Sequence, residues 1–423
     1  MSKYRFNSRF EHLENEDKVI IANSVNGKWI KQSRECYEIV KDIIEGEKSV
    51  EEYLEEFDIE DRDYLDTLIG KLKYMEVISD RDDTDDIEPV KSITLSLTKN
   101  CNLMCIHCSY NAKHNRTPEQ DLTYEQVINI VDKIIAVKPE RITITGGEPL
   151  VRKDIFKILQ YIRENFDGEI GLMTNGVLIN KSNVERLTSL VKIFDISLDG
   201  YNQESCDFIR GKGVFNSVIR SIGLLQSHGI TDISLSMVIV EQTRTHLQDF
   251  YKLCRELKVQ PVPRIFSPIG RGLDNKDKLE LKGEVNLENQ LNAHGKKTQG
   301  SYKQLLDVCT CGGGFDELYI DYDGNIGPCP LFMDTKFQIG NISEINLNEY
   351  FNNKEYKRTK SFSEFKNYLP RHREKCKNCN VNIFCWTCPH MIHVEYKDEE
   401  KFEERCKYMK EILTESVWGN FYE

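Results

Sequence analysis

Three cysteines, Cys101, Cys105 and Cys108, follow a short apolar run with the spacing Cys-x3-Cys-x2-Cys. Three thiolates this close on one loop can hold three irons of a [4Fe–4S] cube, leaving the fourth iron open to a substrate or cofactor. Zinc is the other reading, but its structural sites take four ligands, with His107 as a candidate fourth. Eight of the 14 cysteines lie between Cys309 and Cys406, among them Cys376-x2-Cys379-x5-Cys385-x2-Cys388. A double Cys-x2-Cys suits a zinc ribbon or a cluster. Cys36, Cys206 and Cys254 stand alone, and Cys36 and Cys254 read as small buried hydrophobes. His390 and His393 read as packed or surface histidines, and Asp321 and Asp323 as turn residues.

The N-terminus, MSKYRFNSRF, is too polar for a signal peptide, and no apolar run is long enough to span a membrane. The cysteines are therefore expected in the reducing cytoplasm, where thiols serve as ligands or catalysts more often than as staples. Lys+Arg 57 against Asp+Glu 69 gives a net charge of -12, which argues against a nucleic-acid partner.

The elements that must position these thiols alternate regularly. Strands are predicted at Ser92–Leu97, Arg141–Thr145, Glu169–Thr174, Lys192–Leu198, Asp232–Val240 and Pro263–Phe266, with helical patterns between them. Such alternation predicts an α/β fold with a parallel sheet, open or closed into a barrel. Polar residues collect at the predicted strand ends, as in the active sites of βα barrels. They are Gly146-Gly147-Glu148-Pro149, Thr174-Asn175-Gly176 and Ser197-Leu198-Asp199-Gly200, with Arg210-Gly211 shortly after. The chain divides into four segments: 1–88, small and winged-helix-like; 89–271, the strand–helix alternation; 272–308, a polar bridge; and 309–423, the cysteine-rich region. An acidic run, Asp80–Pro89, reads as a linker.

From about Pro89 to Arg271 these motifs resemble the radical SAM superfamily, which implies a partial (β/α)6 barrel. By that resemblance Cys101, Cys105 and Cys108 hold the cluster that cleaves S-adenosylmethionine (SAM). Gly146, Gly147 and Glu148 line its methionine end, and Thr174 and Asn175 join the SAM site. Ser197, Asp199 and Arg210 match positions that contact the ribose or carboxylate, and Met237 lies where the family packs adenine.

The C-terminal region resembles the SPASM domain, which implies two auxiliary clusters and three [4Fe–4S] clusters in all. One would use Cys311, Cys329 and Cys388; the other Cys376, Cys379, Cys385 and Cys406. The last pair, Cys385-x2-Cys388, is one residue closer than the usual pattern. Cys309 either completes the first auxiliary set or leaves it an open iron.

Residues 1–88 resemble the peptide-recognition element fused to enzymes that modify ribosomally made peptides. Such modules bind a leader peptide as an added strand, here at the edge around Gly27–Gln32 with the Arg62–Tyr74 helix as a wall. The combination resembles the thioether-forming maturases of sactipeptides and ranthipeptides. It implies a precursor peptide with a leader and a Cys-containing core, and a low-potential electron donor such as flavodoxin or ferredoxin. The alternatives are a carbon–carbon peptide crosslinking enzyme, an anaerobic sulfatase maturase, and a zinc- or cluster-bearing binding protein without turnover. Against the sulfatase maturase stands Pro330, where those enzymes carry Asp.

Overall fold

The computed structural model describes residues 3–7, 9–80, 90–113, 121–281, 308–334, 336–353, 359–385, 388–394 and 398–419. The acidic run after Asp80 and most of the polar bridge, 282–307, lie outside the described residues. Two compact units are present, one of residues 1–88, 294–312 and 366–423, the other of 89–293 and 313–365.

In the first unit, strands β1 (Tyr4–Phe6), β2 (Phe10–Asn15), β3 (Lys18–Asn23) and β4 (Trp29–Ser33) precede helices α1 (Arg34–Glu45), α2 (Val50–Leu54) and α3 (Ile59–Tyr74). Strand β5 (Ile78–Asp80) pairs with β1, while β2-β3-β4 form a three-stranded antiparallel sheet. Ser33 ends β4 and caps α1, accepting from Cys36 N. Tyr37, Val40 and Ile44 of α1 pack with Leu65, Leu68 and Leu72 of α3 in one apolar core. The C-terminal segment belongs to the same unit. Trp29 meets Phe384 edge-to-face at 5.2 Å, Lys31 Nζ donates to Gly419 O at 2.8 Å, and Arg371 pairs with Glu11 at 2.9 Å.

The second unit carries six parallel strands: β6 (Ser92–Ser96), β7 (Arg141–Thr145), β8 (Glu169–Thr174), β9 (Ile193–Ser197), β10 (Asp232–Ile239) and β11 (Gln260–Ile265). Between them run α4 (Tyr124–Ala136), α5 (Ile155–Asn165), α6 (Val184–Leu190), α7 (Gln203–Arg210), α8 (Val214–Ser227) and α9 (Leu247–Leu257). The predicted alternation of strand and helix is thus observed. Strand β11 starts three residues before the predicted Pro263 and contains Pro261 and Pro263. It lies at the open edge of the sheet, where the N–H groups that proline lacks are not needed. Beyond β6, strand β12 (Glu317–Ile320) pairs in parallel, followed by antiparallel β13 (Asn325–Gly327) and β14 (Gly340–Asn341). The 20-residue helix Glu399–Trp418, α10, belongs to the first unit. Among the described residues no helix is long and apolar enough to cross a membrane.

Candidate active site

The cysteine loop leaves the end of β6 and is held by its own backbone. Cys101 N donates to Lys113 O at 3.1 Å and Lys113 N to Lys99 O at 3.1 Å. The Gly146-Gly147 segment after β7 is stitched to this loop, Gly147 N to Thr98 O at 2.7 Å and Glu148 N to Asn100 O at 2.8 Å. A Cβ at Gly147 would stand 2.3 Å from Asn100 O, so only glycine permits this approach.

The three thiols and the strand ends enclose one cavity of about 420 Å³. Cys101, Cys105, Cys108, Gly146, Gly147, Thr174, Asn175, Ser197 and Arg210 all line it. Cys101 Sγ lies 3.4 Å from Leu103 N and 3.8 Å from Asn175 Nδ2, and Arg210 Nη1 is 3.9 Å from Cys105 Sγ. Burial pushes the Cys101 thiol up to about 11. Ligation by a cluster would offset that cost, because a metal takes the thiolate form.

Three residues singled out in the sequence stand behind the cavity wall. Glu148 is fully buried, its carboxylate accepting from Thr174 Oγ1 at 2.8 Å, Asn175 N at 2.8 Å and Leu150 N at 3.0 Å. Burial raises its pKa and these hydrogen bonds oppose the rise. It ties the end of β7 to the end of β8. Met237 is buried in the apolar core, while its neighbours Ser236 and Val238 line the cavity, as strand alternation requires.

Asp199, the third, is 1% exposed and meets an arginine and a histidine. Its Oδ2 lies 2.7 Å from His107 Nε2 and 2.5 Å from Arg210 Nη2, as close charge contacts rather than well-aligned hydrogen bonds. Burial would raise the Asp199 carboxyl, but Arg210 and His107 hold it well below the usual carboxylate range. His107, weighed above as a zinc ligand, thus joins the cysteine loop to the ends of β9 and α7.

Sequence reasoning named these three residues but missed their contact with one another, and it missed the polar floor of the cavity, where Thr94, Asp195, Ser236 and Arg264 contribute. The signal was present as single polar residues inside otherwise apolar strands, such as IFDIS and ISLSMVI. Asp321 does sit in the β12–β13 turn, and it also accepts from Tyr110 and from Tyr322 N at 2.7 Å. Tyr110 lines the cavity two residues after Cys108.

In the first unit Cys376, Cys379, Cys385 and Cys406 line one narrow cavity with Arg405, Lys375 and Lys410. Cys309 and Cys311 line another with Arg371. Burial pushes Cys376 and Cys309 each to about 11, and Cys309 also feels Cys388 and Cys385. Cys388 and the buried His390 and His393 belong to this unit, whereas Cys329 follows β13 in the other. Cys206 and Cys254 are buried packing residues. Among the described residues no three His, Cys, Asp or Glu side chains converge on a single-ion position. The fit to a cluster rests instead on shared cavities: three thiols beside a large open space, and four around a small one.

The chain matches the radical SAM superfamily over residues 95–254 and an iron–sulfur cluster-binding domain, SPASM, over 309–380. Mycofactocin maturase MftC of Mycolicibacterium smegmatis is 31% identical over 264 residues, covering 59% of this chain and 67% of its own. The chain belongs to the radical SAM superfamily. This radical SAM chain is also 26% identical over 342 residues to the antilisterial bacteriocin subtilosin biosynthesis protein AlbA of Bacillus subtilis, covering 77% and 72%. Two solved structures share its fold. Streptococcus suis SuiB bound to S-adenosylmethionine has a TM-score of 0.51 at 16% identity, covering 92% of this chain and 96% of its own. Native anSMEcpe with bound AdoMet has 0.53 at 19%, covering 76% and 97%. The protein is therefore a radical SAM enzyme with SAM and iron–sulfur clusters as its cofactors.

Proposed function

We propose that this enzyme is a peptide maturase that joins a cysteine sulfur to a carbon of a ribosomally made precursor peptide. The observation that carries the reading is one chain with a three-thiol cavity at the barrel's strand ends and a small sheet with an outer edge. Its relatives support it: one is a maturase and one a bacteriocin biosynthesis protein, and the similarly folded SuiB is known bound to precursor peptide SuiA.

Cys101, Cys105 and Cys108 would hold the cleaving cluster, with Gly146, Gly147, Thr174, Asn175, Ser197 and Arg210 around SAM. When bound, these cofactors supply a 5′-deoxyadenosyl radical that removes a hydrogen atom from the substrate. Arg210 is aimed for this task by Asp199, so its guanidinium is already placed before SAM arrives. Asn175 divides its amide between Cys101 Sγ and Asn102 Oδ1 and steadies the loop. Val238, Ile265, Phe266 and Leu331 give the cavity an apolar side that excludes water from a reactive radical. A low-potential donor such as flavodoxin or ferredoxin completes the cytoplasmic scheme. The expected product lacks two hydrogens per crosslink and has lost a thiol to alkylation. A product that lacks the hydrogens but still alkylates at every cysteine favours the carbon–carbon crosslink instead.

The leader is proposed to add to β4. Asn23 N donates to Lys28 O and Arg34 N to Asp17 O, so the ladder turns the N–H groups of residues 28, 30, 32 and 34 toward β3. Those of Trp29, Lys31 and Ser33 point the other way. Ser33 has φ -65, which proline adopts without strain. Ser33→Ala and Ser33→Pro both remove the cap of α1, but only proline removes the outward N–H. Leader affinity measured by calorimetry should be about fivefold to tenfold weaker in Ser33→Pro than in Ser33→Ala, the worth of one ladder hydrogen bond. Equal affinities would place the leader elsewhere.

A further inference from the structure

One of the four thiols around the narrow cavity of the first unit is held by a forked cation. Arg405 precedes Cys406 on α10 and reaches the end of the short helix Asn382–Cys385. Its Nη1 stands 3.5 Å from Cys385 Sγ, and its Nη2 donates to Cys385 O at 3.1 Å. A planar guanidinium can fix a sulfur and a carbonyl of one residue together, which a lysine ammonium cannot. Burial pushes the Cys385 thiol up, and Arg405 opposes that rise. Of the two lysines that also line the cavity, Lys375 is engaged by Glu403 at 2.9 Å and by Glu399.

The barrel loop differs in kind. There Arg210 is further from its sulfur, at 3.9 Å, and Asp199 at 2.5 Å offsets its charge. A cluster held by four thiolates is negative and becomes more so on reduction. An N–H donor and a positive charge beside one sulfur therefore stabilise the reduced form more than the oxidised one.

On the reading that Cys376, Cys379, Cys385 and Cys406 hold an auxiliary [4Fe–4S] cluster, we propose that Arg405 is a positioning residue that raises the reduction potential of that cluster. Closing a carbon–sulfur bond after hydrogen abstraction releases the thiol proton and one electron. A site poised upward by Arg405 suits the acceptance of that electron.

The test uses protein in which Cys101, Cys105 and Cys108 are all alanine, so that only auxiliary clusters contribute. Iron is counted and an anaerobic redox titration is followed by electron paramagnetic resonance. Arg405→Gln and Arg405→Lys are each compared with the unsubstituted residue, and a Cys376→Ala variant identifies the relevant signal. In Arg405→Gln one signal is expected to shift to more negative potential with iron unchanged. Arg405→Lys, which keeps the charge and loses the fork, should recover part of the shift. Unchanged potentials with iron retained would overturn the role of Arg405 and leave the cluster reading standing. Loss of iron in both variants would make Arg405 a structural clamp and overturn it too. Zinc in place of iron at Cys376 would remove both.

Discussion

In the Cys101→Ala protein, cleavage of SAM to deoxyadenosine falls to background, a drop of about a thousandfold or more. Iron falls from about 12 to about eight per chain, one cube of three. The loss is large because, among the described residues, no fourth thiol lines the cavity. His107, which also lines the cavity, faces Asp199 at 2.7 Å. Contacts to Cys101 Sγ from Leu103 N and Asn175 Nδ2 orient a thiolate but cannot stand in for one. Anaerobic reconstitution, an iron count and chromatography of deoxyadenosine measure both effects. Turnover within tenfold of the parent protein would mean that the cleaving cluster sits on other cysteines.

Asp199→Asn is expected to lower stability by about 3 kcal/mol, at the low end for breaking a buried ion pair. The cost arises because Arg210, with 9% of its side chain exposed, would lose its counter-charge without gaining water. Asp199 sits at φ 57, a left-handed conformation that asparagine tolerates and alanine does not. Asp199→Ala should therefore cost a further ~1 kcal/mol. Because the folded carboxyl is held below its unfolded value, its contribution is complete above about pH 4 and fades as pH falls below that. Denaturant midpoints measured anaerobically report both, on the iron-loaded protein at neutral pH for the substitutions and on the cluster-free protein at about pH 3 for the fade. An unchanged midpoint in Asp199→Asn at neutral pH would show that Arg210 finds another partner.

Much of this was legible in the sequence because the signals are local. Thiols three and four residues apart must share a loop whatever the rest of the fold does. A Gly-Gly pair that ends an apolar run marks a turn that lets the backbone approach another chain segment, and here that segment is the cysteine loop. The parallel sheet followed from alternating patterns, each set by residues within a few positions of one another. Where the local reading fell short, the cause was tertiary position: the strand is predicted only from Pro263, whereas β11 begins at Gln260 and holds two prolines that an edge strand accommodates.

Direction and pairing were decided only on folding. Glu148 reads as a ligand-facing residue, but its carboxylate satisfies the ends of β7 and β8, since a buried carboxylate needs donors close by. Met237 and Ser236 differ by one position, and the pleat sends one to the core and the other to the cavity. His107, Asp199 and Arg210 come from three different elements, so no spacing announces them. The cysteine motifs and the alternation of strand and helix were set by the sequence alone. Which polar residues face the cofactors, and which hold those residues in place, depended on long-range packing that no local pattern encodes.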